Sequence, residues 1–190
     1  MGRSIKENTM SRLQPVDPST ATGKAKDLLD AVKGKLGIVP NMTRVMAYSP
    51  AVLESYLSFS GALSGGLLDA KTREQLALVT AQENHCNYCL SAHSAIGKMV
   101  GLKHDEIIAS RKGDGSSPKT TAALTFAKRV LDTKGQVTEA DLTAVHDAGF
   151  SEGEIAEIIA HVALNVFTNY FNIATNVDID FPKVSYDVVA

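Results

Sequence analysis

The chain holds two cysteines, Cys86 and Cys89, three positions apart, and His93 stands four positions after the second. On a helix, residues three and four apart are neighbours on one face. A helical segment from Cys86 to His93 would therefore present both thiols and the imidazole together. Two thiols at that spacing can close a disulfide on each other. A histidine one turn on can take a proton from a thiol or give one back. This is the constellation of a redox dithiol with a built-in base. A free thiol titrates near ~8.5, and a helix N-terminus or a nearby cation lowers that value. Asn84 reads as the N-cap of the helix, which would put the two cysteines in its first turn, with His85 and His93 as added cations when protonated.

The same residues support other readings. Buried structural cysteines behave as small hydrophobes. Zinc could be held by Cys86, Cys89 and His93, with His85 or Glu74 as fourth ligand. Structural zinc sites usually draw on two separated ligand pairs, and the sequence has no second Cys/His pair. A thioredoxin-like site needs a βαβ pattern around the cysteines, which is absent. His161 sits in an apolar helical stretch and reads as a core histidine.

The elements that must position these residues are helical. Apolar residues recur at helical spacing nearly everywhere, so the sequence predicts an all-α bundle. A first helix is expected from Ser19 or Thr20 to about Lys35, followed by a loop at Ile38-Val-Pro-Asn. Ser49 and Pro50 start a second, broken by Gly65-Gly66. Asp69 caps a third, which carries Glu74 and turns Leu76 and Val79 inward. It should end near Asn84, and Gly101 should close the cysteine helix as its C′ residue. A short helix spans about Asp105 to Arg111, and Gly113 to Pro118 reads as the most flexible interior connection. Ser117-Pro118 restarts helix to about Thr133. Thr138 with Asp141 and Ser151 with Glu154 are capping boxes, with staples from Val137 to Leu142 and from Phe150 to Ile155. The last helix runs from about Glu152 to Thr175. Asn87-Tyr88-Cys89 and Asn169-Tyr170-Phe171 give a faint internal echo.

Three parts follow: a flexible N-terminal arm over 1–16, a helical domain over 17–175, and an extended tail over 176–190 that could lie on a neighbour. Met10 could be an internal start, which would make the first nine residues an upstream extension.

Hydrophobic residues are 44% of the 190-residue chain and charged residues 21%, as in soluble globular domains. A net charge of -2 and the absence of tryptophan speak against nucleic-acid and anionic-membrane binding. A helix-turn-helix reading of Thr138 to Asn165 meets the same objection, since Glu152, Glu154 and Glu157 would repel phosphates. Met1 to Gln14 lacks an apolar signal core, and no apolar run is long enough to span a bilayer, so a cytoplasmic setting is expected. There a lone Cys-x-x-Cys is catalytic or metal-binding more often than structural.

Glu74, eleven residues, Cys86, two residues, Cys89, three residues and His93 form a pattern that resembles the AhpD-like alkylhydroperoxidases. These belong to the wider carboxymuconolactone decarboxylase superfamily. The resemblance runs from about Leu68 to Leu102. It implies an AhpD-like helical fold and a thiol-dependent peroxidase or disulfide reductase activity. It also implies that Cys89 is the peroxidatic nucleophile, Cys86 the resolving thiol, His93 the base and Glu74 part of a proton relay. No cofactor is implied for the peroxide step, but a dithiol reductant must reset the disulfide. The family forms trimers and larger rings, so a homo-oligomer is expected, as trimer or hexamer. Two features stand apart. The superfamily's decarboxylases lack the cysteine pair. The family's peroxidases carry a histidine immediately before the second cysteine, where this chain has Tyr88; His85, one place before Cys86, reads either as a substitute or as a capping residue. On one continuous helix Glu74 would lie ~18 Å from Cys86 at ~1.5 Å per residue. Its role needs a chain break near Asn84 or a crossing of helices.

Overall fold

The computed structural model describes residues 11–188. The start of the expected arm, with Met10, lies outside the described residues. Among the described residues there are nine α-helices and no strand, the all-α architecture expected from the sequence. None of these helices is long and apolar enough to cross a membrane.

The bundle is built around α4 (Ala70–Glu83), which packs on α5 (Asn87–Met99), α6 (His104–Lys112), α7 (Pro118–Asp132) and α9 (Glu152–Thr175). A helix covered on every side must be buried all round, and α4 is: Gln75, Leu76, Ala77, Leu78, Val79, Thr80 and Ala81 are all inaccessible. It divides the core in two. Leu78 and Ala81 face a cluster with Leu29, Met46, Leu53, Leu90 and both cysteines. Leu76 and Val79 face another with Leu124, Phe126, Val145, Ile155 and Ile158. The site therefore sits at the boundary between a central, buried helix and one of two apolar cores.

Local sequence explains most helix ends. Asp69 caps α4 by accepting from the Thr72 amide at 2.9 Å. Pro50 opens α3 (Pro50–Ser64), and Thr138 with Asp141 caps α8 (Glu139–Asp147) as a capping box. Ser151 with Glu154 does the same for α9. Gly101, at φ 90°, terminates α5 in the left-handed region.

Three expectations are corrected. α1 (Gly23–Leu36) begins later than Ser19, because the Asp17 carboxylate bonds the Ser19 amide at 2.8 Å and holds residues 17–20 in a turn. A short helix, α2 (Asn41–Met46), begins at the last residue of the expected Ile38–Asn41 loop, and its six residues are too few for a period to be read. The third correction, at Asn84, shapes the site.

The N-terminal end of the described chain meets the C-terminal end of α9. The Arg12 amide donates to Thr175 O at 2.8 Å, and the Ser11 hydroxyl accepts from the Asp178 amide at 2.9 Å. The tail beyond α9 packs on its own chain. Tyr186 N bonds Asn87 Oδ1 at 2.9 Å, Val184 N bonds Ser91 Oγ at 2.9 Å, and the buried Arg111 guanidinium donates to the carbonyls of Ser185 and Val188. The tail thus straps the first turns of α5.

Candidate active site

Asn84 does not cap the cysteine helix. It is the C-cap of α4, and the N-cap of α5 is Cys86. Between them His85 adopts a left-handed conformation at φ 56°. The Cys86 amide then reaches back to Ala81 O at 2.9 Å and the His85 amide to Gln82 O at 3.1 Å. This is a Schellman ending in which histidine stands where glycine is usual. The turn reverses the chain in two residues, so α5 packs back along α4.

That reversal brings Glu74 to His93. Helix crossing removes the separation of a continuous helix, and Glu74 Oε2 lies 2.8 Å from His93 Nδ1. Both side chains are largely covered, 16% and 22% exposed. With the carboxylate accepting from Nδ1–H, the tautomer is fixed and Nε2 becomes the basic nitrogen. Glu74, which by sequence alone reads as an exposed charge, orients the imidazole one turn after Cys89.

Cys86 and Cys89 are paired as a disulfide, with Cα atoms 5.3 Å apart. Both are buried, at 1% and 3% exposure. Cys86 Sγ also accepts from the Cys89 amide at 3.3 Å. A sulfur at an N-cap lies at the positive end of the helix, where a thiolate is stabilised after reduction. Among the described residues no group of three or more His, Cys, Asp and Glu is arranged to hold a metal ion.

The two flanking candidates face elsewhere. The exposed His85 ring stacks on Tyr186, with centroids 4.5 Å apart. The Tyr88 hydroxyl accepts from the Met42 amide at 3.1 Å, and its ring meets Phe181 edge-on. Burial, above all, pushes the Tyr88 phenol well above its usual range, and Asp180 nearby adds to this. Tyr88 is a protonated anchor for α2 and the tail. A histidine placed there would untie those contacts.

His161 is buried, as its apolar surroundings in the sequence predict, but the polar residues that share its face escape the sequence reading. On α9 the buried face carries His161, Asn165, Thr168, Asn169 and Asn172. Asn172 Nδ2 donates to Cys89 Sγ at 3.2 Å and to Met42 Sδ at 3.2 Å. Asn169 Oδ1 accepts from Asn84 Nδ2 at 3.0 Å, which ties α9 to the turn before Cys86. The signal was there: polar residues three and four apart inside an otherwise apolar helix. On the opposite face Ile159, Phe167, Tyr170 and Ile173 are exposed.

His161 lies close enough to Glu74 and His93 to feel their charges. Burial first, and then the Arg73 guanidinium, hold its imidazole below the ordinary range. It is therefore neutral in the fold at neutral pH. The unfolded chain binds its proton near pH ~6.5, so stability falls as pH drops from there towards the lower folded value. His161→Phe should flatten the decline in melting temperature over that interval. Equal declines in the parent and the variant would exclude His161 as the source.

The chain is similar to known proteins. The model of the carboxymuconolactone decarboxylase family matches residues 50–132, from the start of α3 to the end of α7. An uncharacterized protein of Haemophilus influenzae is 44% identical over 46 residues, 24% of this chain and 41% of that protein. The chain thus spans about two fifths of the length of that curated relative. The AhpD-core, peroxidase-related protein of Ralstonia eutropha superposes with a TM-score of 0.80 at 24% identity, covering 91% of this chain and 93% of that one. A peroxidase-related protein of Silicibacter gives 0.76 at 20% identity, covering 95% and 98%. The debrominase Bmp8 gives 0.74 at 20% identity, covering 88% and 91%. At these identities the likeness establishes the fold.

Proposed function

We propose that this chain, which matches the carboxymuconolactone decarboxylase family over residues 50–132 and shares the fold of the AhpD-core protein, is a thiol-dependent peroxidase. One observation carries the reading: the Cys86–Cys89 pair at the start of α5, with the Glu74–His93 pair one turn on. In the reduced protein His93 takes the Cys89 proton, and Glu74 stabilises the imidazolium. The Cys89 thiolate attacks one peroxide oxygen. The S–O bond forms as the O–O bond breaks, and the departing alkoxide takes the proton from His93. Cys89 is left as a sulfenic acid. The Cys86 thiolate attacks its sulfur, hydroxide leaves and is protonated to water, and the disulfide closes. One hydroperoxide becomes an alcohol and water, and two thiols become a disulfide. A dithiol reductant returns the two electrons, which fits a reducing cytoplasmic setting.

The test is hydroperoxide consumption by the reduced protein with a panel of dithiol reductants. Catalytic turnover that vanishes in Cys89→Ser supports the reading. A parent protein no faster than a free thiol overturns it. The likeness to a debrominase adds a second reading, in which the same dithiol gives its two electrons to a carbon–bromine bond. Bromide release from a brominated pyrrole, without peroxide turnover, would favour it.

The exposed apolar stripe of α9, with Phe59 and Leu67 also exposed, supports a homo-oligomer, and the resemblance to AhpD-like proteins makes a trimer or hexamer the proposed form. Light scattering should give a mass of at least three chains, and Phe167→Glu should lower it. A parent protein that runs as a monomer at micromolar concentration excludes the assembly.

A further inference from the structure

The buried carboxamide of Asn172 is poorly served by its surroundings. The residue is 3% exposed. Its Nδ2 meets only sulfur, that of Cys89 and that of Met42. Its Oδ1 has no partner. Disulfide and thioether sulfurs are weak acceptors, and buried amides are normally paired with better ones. Reduction changes one of these partners. A Cys89 thiolate is a charged acceptor, and hydrogen bonds to charged groups are shorter and about twice as strong. The amide is thus placed for the reduced sulfur.

We infer that Asn172 is a further catalytic residue, the hydrogen-bond donor that holds Cys89 as the thiolate. The inference rests on the dithiol reading above. The sulfurs have separate donors: the Cys89 backbone amide serves Cys86, and Asn172 serves Cys89. The titratable groups on the elements packed about Cys89 have partners or places of their own. His93 lies one turn on, bonded to Glu74 from α4. Tyr88, its neighbour, is held with Asp180 of the tail. His161 lies three turns back on α9. Asn172 is the neutral side chain that touches the sulfur itself.

The consequence extends to regeneration. When a dithiol reductant attacks Cys86, the Cys86–Cys89 bond breaks and Cys89 departs as a thiolate. A second reductant thiol then displaces Cys86 from the mixed disulfide, and the reductant leaves oxidised. A better stabilised thiolate is a better leaving group. Asn172 therefore favours the reduced form of the pair and directs attack to Cys86.

The experiment needs no peroxide, so its failure is separable from failure of the peroxidase reading. Cys89 alkylation by iodoacetamide is followed against pH in reduced Cys86→Ser protein, with and without Asn172→Leu. The disulfide equilibrium with dithiothreitol is measured in the otherwise unaltered chain, again with and without Asn172→Leu. The expected results are a midpoint about one pH unit higher and a disulfide about tenfold harder to reduce. Tenfold in this equilibrium is ~30 mV lower in potential. Superimposable curves for a variant with parental helicity and melting would overturn the inference. Should Asn172→Leu fail to fold, the assigned side-chain amide signals of Asn172 in Cys86→Ser protein decide. They should shift with the Cys89 titration, and signals indifferent to it would overturn the assignment.

Discussion

Replacing Cys89 by serine is expected to abolish reaction with hydroperoxide at the site, whereas replacing Cys86 should leave one turnover. The two sulfurs share a bond but not an environment. Cys86 caps α5 and accepts from a backbone amide. Cys89 lies one turn before His93 and against the Asn172 amide. In Cys89→Ser the attacking sulfur itself is gone and the remaining thiol is the resolving one, so the initial oxidation should fall to background. In Cys86→Ser the sulfenic acid forms at a near-parental rate and then stalls, or is oxidised further to sulfinic acid, because no other cysteine exists to condense with it. Dimedone trapping with mass spectrometry reads the difference. Sulfenic acid found on Cys86, with Cys89→Ser still consuming oxidant, would reverse the roles.

The second large effect belongs to the relay. His93→Ala removes the base and the acid of the proposed cycle, so the rate at neutral pH should fall by ~100- to 10,000-fold. Raising the pH should recover the part due to thiol deprotonation, since hydroxide can then do that work. The part due to protonating the leaving alkoxide should stay lost. Glu74→Gln is a gentler change. Its amide oxygen can still accept from Nδ1–H at the 2.8 Å position, so the tautomer survives. Only the negative charge that stabilises the imidazolium disappears, and a drop of roughly tenfold is expected for a partly covered pair. Stopped-flow oxidation of the reduced protein across pH separates the two. A His93→Ala protein with the parental rate at neutral pH would remove the histidine from the mechanism. A Glu74→Gln loss as large as that of His93→Ala would mean that orientation, not charge, is the carboxylate's contribution.

What the sequence determined by itself was local. Asp69, Thr138 with Asp141, and Ser151 with Glu154 fix helix starts through bonds spanning three residues, so their meaning is readable without a fold. The spacing of Cys86, Cys89 and His93 is likewise a property of one helix. The turn at Asn84 was misassigned because asparagine serves both helix ends, and the left-handed residue is His85, a type that seldom marks such a turn. The partners of the dithiol lay beyond local reach altogether. Glu74 becomes the partner of His93 only because α5 folds back along α4. Asn172, 83 positions after Cys89, reaches its sulfur only because α9 turns a polar face inward and leaves apolar residues outside. Hydrophobic periodicity reports which face of a helix is apolar, and burial usually follows it. On α9 the two part company: Asn172 is buried against the Cys89 sulfur while Phe167 and Tyr170 are exposed, and which helix face turns inward is decided by packing against α4 and α5.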